Sequence, residues 1–442
     1  MRKYELQFDD ESIKDTIHSN TLNRNDKLFN LIRLLNSMNE NHIISIDGSW
    51  GSGKTFFIKQ LMYLKSNHND CAFIKQDIHD TITEFDKKYI LVYYNAWEND
   101  DAENAMLSLI YKLINDSCLQ KHENEVGAIP RLLNTIIKFA TNGSVDIKQD
   151  VFGEQWNNKQ ITDCIETSEE IKKTFKELIN NLLIENKNKI LIIIDEIDRC
   201  KPVFAIDLLE SIKHFYDDDR IIFLVTTNNK ELASSVCKVY GEKYDGDLYL
   251  DRFFDINLEL PNNYIQDYIN AIDEGNSGSN FHFKAYRELA KENKLTMREY
   301  NRYLSSMESI KNNLIEEYSY LSLFANYIIV PISMCLRIKD KNRYYNFIKG
   351  EEFSIIKQLV DNNQFYHKLG RKILSQKDNS IITNIHSKHI SEKEKIILEN
   401  QEILKNLEEI YNQLLGSINP EEDEWEYKEI LKETLDIISL FN

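Results

Sequence analysis

The chain has 442 residues, with 54 Lys and Arg against 72 Asp and Glu, which gives a formal net charge of −18 at pH 7. Hydrophobic residues make up 42% and charged residues 29%, the composition of a globular protein rather than of a disordered or fibrous one. The acidic balance argues against general binding to nucleic acid, because neutralising phosphates requires an excess of Lys and Arg. At about 150 residues per domain, the length accommodates two or three domains.

The cysteines and the N-terminus indicate a reducing, cytoplasmic setting. The six cysteines are scattered, with no C-x-x-C pair of the kind found in zinc sites or redox dithiols. Residues 1–11 contain no apolar core of a signal peptide. The longest apolar run, Leu321–Leu336, spans about 16 residues, fewer than the roughly 20 that cross a bilayer, and contains Asn326 and Pro331. We therefore predict a buried core helix there and no membrane span.

Apolar segments with strand and helix periodicity alternate through the first 265 residues. The predicted strands are His42–Ile46, Tyr89–Tyr94, Lys189–Ile194, Arg220–Val225 and Phe254–Leu258. The predicted helices are Asn20–Met38, Phe56–Leu64, Ala102–Ile114 and Phe204–Phe215. This alternation predicts a doubly wound parallel α/β fold, and the continuously apolar third strand is typical of a sheet covered on both faces.

The chain divides into three predicted regions. Residues 1–40 form a helical lead-in, 41–265 an α/β core with a polar insertion near 141–167, and 266–442 a helical C-terminal domain. In the last region an apolar stripe recurs at coiled-coil spacing, at Ile396, Ile403, Leu407, Ile410 and Leu414. The stripe fits packing within a helical bundle or, over about three heptads, a coiled coil with a partner.

A glycine cluster follows the first predicted strand, in a chain with only 13 glycines. Gly48–Thr55, GSWGSGKT, fits the phosphate-loop pattern G-x-x-x-x-G-K-[ST] in full. Glycines let successive backbone N–H groups turn inward around phosphate oxygens, and the following helix adds the positive end of its dipole. Lys54 is suited to reach the β- and γ-phosphates, and the Thr55 hydroxyl to bind Mg²⁺. The predicted nucleotide-binding residues are Gly48, Ser49, Trp50, Gly51, Ser52, Gly53, Lys54, Thr55 and Phe56.

Carboxylates stand where the third predicted strand ends. Asp195 is suited to hold the same Mg²⁺ ion, directly or through water. Glu196 is suited to orient and polarise an attacking water as the catalytic base. An acidic solvated turn is the alternative for both, and the phosphate loop upstream disfavours it. Asp198 and Arg199 fit a local ion pair that shapes the turn, or Arg199 faces a neighbouring subunit.

The fourth predicted strand runs into Thr226–Asn229, TTNN. Thr227 at this position can sense the γ-phosphate or help to position water, or it can simply end the strand. Guanine recognition calls for N-K-x-D, whereas the nearest match, Asn229–Leu232, reads NKEL and lacks the aspartate. The sequence therefore favours ATP over GTP, with Mg²⁺ as the accompanying ion.

Four stretches together resemble the KAP family of P-loop NTPases. They are Asp47–Thr55 with a tryptophan inside the loop, Tyr94–Trp97 (YNAW), Ile194–Pro202 (IDEIDRCKP), and Tyr249–Phe254 (YLDRFF), which leads to Leu260-Pro261. The phosphate loop alone is generic, but N-A-W and D-R-C-x-P are far more specific. The resemblance covers roughly Asn20 to Leu304 and implies an ATPase of the additional-strand, catalytic-glutamate type, followed by a helical domain.

The resemblance also implies that two arginines take part in catalysis. Arg252 resembles an arginine finger, which stabilises charge on the phosphates from the same or an adjacent subunit; otherwise it pairs with an acid such as Asp251 or Asp255. Arg298, within Leu295–Arg302 (LTMREYNR), would reach the γ-phosphate from the helical domain; otherwise it is a solvated helix arginine.

Three features depart from the family's usual pattern. Many members carry transmembrane helices between the phosphate loop and the acidic strand, whereas residues 141–167 are polar here, so we expect a soluble bacterial member. The family usually has Asp-Asp where this chain has Asp195-Glu196, and both suit metal-and-water chemistry. Asn228 stands where an aspartate is frequent, which leaves its role open.

His386 and His389 have the i, i+3 spacing of a metal-binding pair. No acidic or cysteine partner follows them at ligand spacing. We therefore predict a solvated surface pair rather than a metal site.

The sequence supports one leading function and two alternatives. The leading one is Mg²⁺-dependent ATP hydrolysis that acts as a conformational switch on a protein partner or effector; the family resemblance points to bacterial antiphage defence. The alternatives are a nucleotide-binding scaffold with little hydrolysis and a nucleic-acid-processing ATPase, which the net charge of −18 disfavours. We expect a homo-oligomer or a hetero-complex; if Arg252 acts on a neighbouring subunit, at least a dimer is required.

Overall fold

The computed structural model describes residues 8–67, 74–102, 105–115, 176, 179–180, 183, 189–214, 218–260, 267–270, 281–315, 319–387, 391–415 and 425–441. The predicted insertion at 141–167 lies outside these residues. The chain forms two compact units, one of residues 7–262 and one of residues 263–442 together with 1–6.

The first unit contains one parallel five-stranded sheet. Its strands are β1 (His42–Asp47), β2 (Tyr89–Asn95), β3 (Lys189–Asp195), β4 (Ile221–Thr227) and β5 (Ile256–Glu259). The spatial order is β2-β3-β4-β1-β5, so β4 lies between the strand before the phosphate loop and the strand that ends in the carboxylates. All five predicted strands form, and the interposed β4 is the additional strand of the predicted class. The prediction of the fold class is confirmed.

Helices cover the sheet. The helices of the first unit are α1 (Asp10–His18), α2 (Asn25–Ser37), α3 (Lys54–Asn67), α4 (Gln76–Lys88), α5 (Ala105–Asn115), α6 (Pro202–His214), α7 (Asn229–Tyr240) and α8 (Gly246–Leu250). Apolar side chains of α5, α6 and α7 form one core with those of β1 to β4. Helix α1 packs on α3, α2 packs on α3 and α4, and α4 also contacts β2. Every residue of β3 is buried, as its continuously apolar sequence predicted.

The register brings the strand ends together. Asp47 of β1 lies opposite Thr227 of β4, and Asp195 of β3 lies opposite Asn95 of β2. Because the carboxyl ends of parallel strands meet at one edge, the phosphate loop and the acidic turn after β3 emerge on the same side of the sheet.

The described part of the second unit is helical. Its helices are α9 (Phe281–Glu292), α10 (Met297–Ile310), α11 (Tyr320–Lys339), α12 (Lys341–Ile348), α13 (Ser354–Asn362), α14 (Gln364–Lys377), α15 (Asn379–Ser387), α16 (Glu392–Leu415) and α17 (Trp425–Leu440). The predicted helical character of this region is confirmed.

Helix α11 contains the long apolar run. By length and composition it is apolar enough to cross a membrane, but 89% of its most apolar window is buried within the structure. The predicted core helix is therefore confirmed. A π-helical segment, Ala325–Ile329, precedes Pro331, whose missing N–H and ring disturb the regular ladder of a helix. The side chain of Asn326 in this segment is satisfied by both backbone groups of Ile315, at 2.8 and 3.2 Å.

Helix α16 carries the apolar stripe predicted from its spacing. Ile403, Leu407, Ile410 and Leu414 are buried. A Cβ on Gly370 of α14 would lie 2.7 Å from Ile403 Cγ2, so a glycine permits close approach of the two helices. The four side chains therefore pack within the helical bundle, which was the first of the two interpretations of the stripe. Ile396, the first residue of the stripe, is 62% exposed and does not belong to this core.

His386 has an acidic partner that sequence spacing did not reveal. Its Nε2 lies 3.0 Å from Oε2 of Glu399 on the next helix, and Arg371 Nε contacts Oε1 of the same carboxylate at 2.9 Å. The Glu399 side chain is 7% exposed. His386 is exposed at the surface, as predicted, and its contact with Glu399 escaped prediction because that partner comes from a neighbouring helix. His389 lies outside the described residues.

Close packing of α7 and α8 generates a stability prediction. A Cβ on Gly246 would lie 2.4 Å from the Ala233 carbonyl oxygen, which is backbone and cannot swing aside. We expect Gly246→Ala to destabilise the first unit by about 1–3 kcal/mol in thermal unfolding, because the two helices must separate. Asp247→Ala alters the exposed neighbour and should stay within about 0.5 kcal/mol of the wild type. Equal stabilities of the two variants would contradict this packing.

Candidate functional site

The phosphate loop connects β1 to α3 in a conformation that requires its glycines. Gly51 and Gly53 have φ values of 80° and 85°, in the left-handed region that L side chains rarely adopt. A Cβ on Gly48 would lie 2.7 Å from Ser52 Oγ and 3.1 Å from the Leu260 carbonyl oxygen. Helix α3 begins at Lys54, so the positive end of its dipole lies at the end of the loop.

Backbone bonds fix both sides of this loop to neighbouring strands. The Gly48 N–H donates to the Thr227 carbonyl at 3.0 Å, at the end of β4. The Leu260 N–H, just after β5, donates to the Asp47 carbonyl at 2.7 Å. The Asp47 carboxylate also accepts from the Asn229 N–H at 2.8 Å. The loop is therefore held at the sheet edge before any ligand contributes.

A buried arginine also contacts the loop. Arg24, immediately before α2, is 1% exposed and donates from Nη2 to the Ser52 carbonyl at 2.7 Å. A charge-assisted bond of this kind restrains a backbone carbonyl of the loop. Sequence reasoning missed Arg24 because the contact spans 28 residues and no local pattern marks it.

Lys54 lies among carboxylates. Its side chain is buried and its Nζ donates to the Gly48 carbonyl at 2.5 Å. Burial lowers the pKa of this ammonium, and the negative charges of Asp198, Asp195 and Asp47 oppose that shift. The loop lysine and the carboxylate at the end of β3 therefore interact electrostatically, as a shared phosphate and metal site requires.

Two hydroxyls orient the Asp195 carboxylate, which is 1% exposed. Thr226 at the end of β4 donates its hydroxyl to Oδ1, and Tyr93 of β2 donates to Oδ2 at 3.0 Å. Burial and the nearby Asp195 raise the pKa of Tyr93, so its phenol keeps its proton and remains a donor. Sequence reasoning predicted Asp195 but neither of these positioning residues.

Glu196 has a strained backbone and a paired side chain. Its φ of 62° lies in the left-handed region, which is unusual for a residue with a side chain and is typical of functional turns. Its Oε1 forms an ion pair with Arg199 at 2.9 Å. Burial raises the pKa of Glu196, and the Arg199 charge opposes that rise. Arg199 therefore pairs with Glu196 rather than with Asp198.

Asp198 connects the acidic turn to the phosphate loop. Its Oδ2 accepts from the indole Nε1 of Trp50 at 2.5 Å, and its carboxylate is largely buried. On the other side of the turn, the guanidinium of Arg199 lies 5.4 Å from the ring centre of Trp97, within cation–π range. Trp50 and Trp97, the tryptophans of two sequence motifs, thus contact two consecutive residues of the turn.

Buried hydroxyls at the loop fit a phosphate ligand. Ser52 Oγ and Thr227 Oγ1 are buried and have no hydrogen-bond partner within the described ranges. Buried polar groups normally have partners, so such atoms next to a phosphate loop indicate where ligand oxygens bind. The oxygen donors of Thr55 and Asp195 are of the kind that Mg²⁺ prefers, with phosphate and water completing its shell. Over the described ranges, no cluster of three or more His, Cys, Asp or Glu suggests another metal site.

Three predicted residues remain: Arg252 and Phe56 in the first unit and Arg298 in the second. Arg252 is exposed in the turn after α8 and forms no ion pair within the described part of the chain. The Asp255 carboxylate instead accepts from the Ile43 N–H at 2.8 Å. Arg298 is the second residue of α10 in the other unit, where Thr296 caps the helix. The Phe56 side chain is buried and lies against Phe8, with ring centres 5.9 Å apart.

The sheet order, the loop and the acidic strand end define a P-loop NTPase. Residues 24–322 match the family model described as the KAP family P-loop domain, and the chain belongs to the KAP family. The resemblance to this family, inferred from the four sequence stretches, is confirmed. No curated protein matches the chain.

A solved structure, the Aeropyrum pernix Orc1 protein in complex with DNA, is similar to this chain with 11% sequence identity and a TM-score of 0.35. The match covers 93% of this chain and 92% of that one.

The Arg24 contact predicts coupling between α2 and ligand affinity. We expect Arg24→Gln to weaken binding of inorganic triphosphate and to lower the melting temperature, because a charge-assisted bond to the Ser52 carbonyl contributes about 1.5–3 kcal/mol. Calorimetric titration and thermal unfolding measure the two effects. Arg33→Gln, at an exposed position of the same helix, is the matched control. Indistinguishable results for the two variants would refute a role for Arg24 in holding the loop.

The indole–carboxylate bond predicts a pairwise coupling energy. A double-mutant cycle of Trp50→Phe and Asp198→Ala should give a coupling of about 0.5–3 kcal/mol in urea unfolding, because each variant removes one side of the same hydrogen bond. The parallel cycle with Trp97→Phe should give nearly zero, since Trp97 faces Arg199 instead. Equal couplings in the two cycles would show that the bond does not form.

Proposed function

We propose that the chain hydrolyses ATP with Mg²⁺ and uses the cycle as a conformational switch. The observation that carries this proposal is the shared edge of the sheet: the charges of Asp195 and Asp198 act on Lys54, and Thr226 and Thr227 of β4 hold the carboxylate and the loop, respectively. A triphosphate bound by the loop would therefore extend towards the residue that follows Asp195.

Binding falls to the backbone amides of Gly48–Thr55 and to the Lys54 ammonium. On ligand binding the ammonium exchanges the Gly48 carbonyl for β- and γ-phosphate oxygens, which is a stronger, charge-assisted contact. The Ser52 hydroxyl is available to a phosphate oxygen as well. Thr55 and Asp195 would hold the Mg²⁺ ion. When bound, that ion neutralises charge that develops on the phosphates.

Glu196 acts as the catalytic base. Its half-buried carboxylate accepts a proton from the attacking water. Burial raises the pKa of this carboxyl group, and a higher pKa makes the carboxylate a stronger base. Arg199 positions the carboxylate through their ion pair. Thr227, whose buried hydroxyl has no partner within the described ranges, senses the γ-phosphate. Arg252, exposed and without an ion pair in those ranges, serves as an arginine finger.

The second unit supplies the moving part of the switch. In this proposal Arg298, an exposed residue in the first turn of α10, contacts the γ-phosphate in one nucleotide state and leaves it in the other. The change of state controls a protein partner or effector in a homo-oligomer or hetero-complex. The family resemblance supports a cytoplasmic role in bacterial antiphage defence, and the missing aspartate in Asn229–Leu232 supports ATP as the nucleotide.

One observation favours a nucleotide-binding scaffold as a second candidate. The Glu196 carboxylate is already engaged by Arg199 at 2.9 Å, so it must leave or share that ion pair to activate water. If the ion pair persists with nucleotide bound, hydrolysis is slow and binding alone carries the function.

Substitution of the base separates these two candidates. We expect Glu196→Gln to lower kcat for ATP at least about 100-fold, the usual contribution of a general base, while ATP affinity is retained. Phosphate release with Mg²⁺ and calorimetric titration measure the two quantities. Glu242→Gln, at an exposed glutamate of the same unit, should behave as the wild type. Equal and negligible turnover in the wild type and Glu196→Gln, with ATP still bound, would reject hydrolysis in favour of the scaffold.

A further inference from the structure

An elongated groove of about 370 Å³ lies beside the phosphate loop, between α2, the first turn of α3 and the edge strand β5. Small-molecule sites in proteins usually enclose about 300–1,000 Å³ and combine an apolar lining with a few polar groups. The floor is apolar and the rim polar; the residues used below are Leu31, Ile46 and Phe57 on the floor and Lys27, Asn30 and Glu259 on the rim.

The groove is continuous with the phosphate loop. Leu260 lines the groove, and its carbonyl oxygen lies 3.1 Å from the position that a Cβ on Gly48 would take. Phe57 lines the groove from α3, two residues after Thr55, and its N–H donates to the Gly53 carbonyl at 3.0 Å. The groove therefore begins where the loop ends, within the reach of a single nucleotide.

We propose that this groove holds the purine base of the nucleoside triphosphate whose phosphates bind to the loop. The inference rests on the proposed function and deepens it. A purine has two apolar faces and a polar edge, which match an apolar floor with polar side chains along one rim. The planar faces of the base would pack against Leu31, Ile46 and Phe57.

The rim offers donors and acceptors for the edge of the base. Lys27 donates to the Glu259 carbonyl at 3.1 Å, so its ammonium lies at the rim of the groove. Asn30 is exposed, and its Oδ1 accepts from Arg33 at 2.9 Å, which leaves the amide NH₂ for a ring nitrogen or an exocyclic oxygen. Both residues lie on α2, one to two turns after Arg24, which donates to the Ser52 carbonyl. In this proposal the same part of the chain therefore supports the loop and contacts the base.

The inference predicts that nucleoside and phosphate contributions to affinity can be separated. We would titrate the wild type, Asn30→Trp and Glu242→Trp with ATP and with inorganic triphosphate. Asn30→Trp places an indole over the groove, whereas Glu242→Trp adds the same bulk at an exposed position of the same unit that does not line the groove. Melting temperatures of the three proteins verify folding, and Asn30→Arg serves as a second, polar obstruction of the rim.

We expect the wild type to bind ATP more tightly than triphosphate. Asn30→Trp and Asn30→Arg should weaken ATP binding about tenfold or more and leave triphosphate binding within about twofold, while Glu242→Trp changes neither. Equal loss of both ligands in the Asn30 variants, no loss of either, or wild-type ATP binding no tighter than triphosphate would overturn the assignment of the groove. A wild type that binds neither ligand would overturn the proposed function and this inference together.

Discussion

The site depends on the position of β4 between β1 and β3. Its last two residues face the two halves of the site: the Thr226 hydroxyl donates to the Asp195 carboxylate, and the Thr227 carbonyl accepts from the Gly48 N–H. One strand end therefore fixes the phosphate loop and the Asp195 carboxylate in register. A shift of β4 by one residue would turn the Thr226 hydroxyl to the other face of the sheet and break its bond to Asp195, because successive side chains point to opposite faces.

The acidic turn after β3 contains a short 3₁₀ helix, Ile197–Arg199, and is held in place by aromatic and ionic contacts. Glu196 adopts a left-handed conformation that a residue with a Cβ avoids, and Trp50 and Trp97 contact the next two charged residues, Asp198 and Arg199. Strained backbone of this kind persists only where its surroundings fix it. The tryptophan inside the phosphate loop thus has a physical role: it binds the loop to the turn that carries Glu196, the proposed catalytic base.

Local patterns predicted most of the fold and the central residues of the site. The five strands were predictable because each is a short apolar run, and the loop because its glycines have a fixed spacing. Helix α4 was not predicted, because only Ile82 and Phe85 of its 13 residues are buried. The contacts of Arg24, Tyr93 and His386 also escaped prediction, since each partner is distant in sequence and becomes a neighbour only through packing.

The most direct test of the account is a crystal structure with Mn²⁺ in place of Mg²⁺ and a non-hydrolysable ATP analogue. The account predicts one anomalous peak at the sheet edge, coordinated by the Thr55 hydroxyl and, directly or through one water, by the Asp195 carboxylate. The Lys54 ammonium should then contact the phosphates and no longer the Gly48 carbonyl. An ion bound elsewhere, or phosphates outside the loop, would contradict a single site built from β1, β3 and β4.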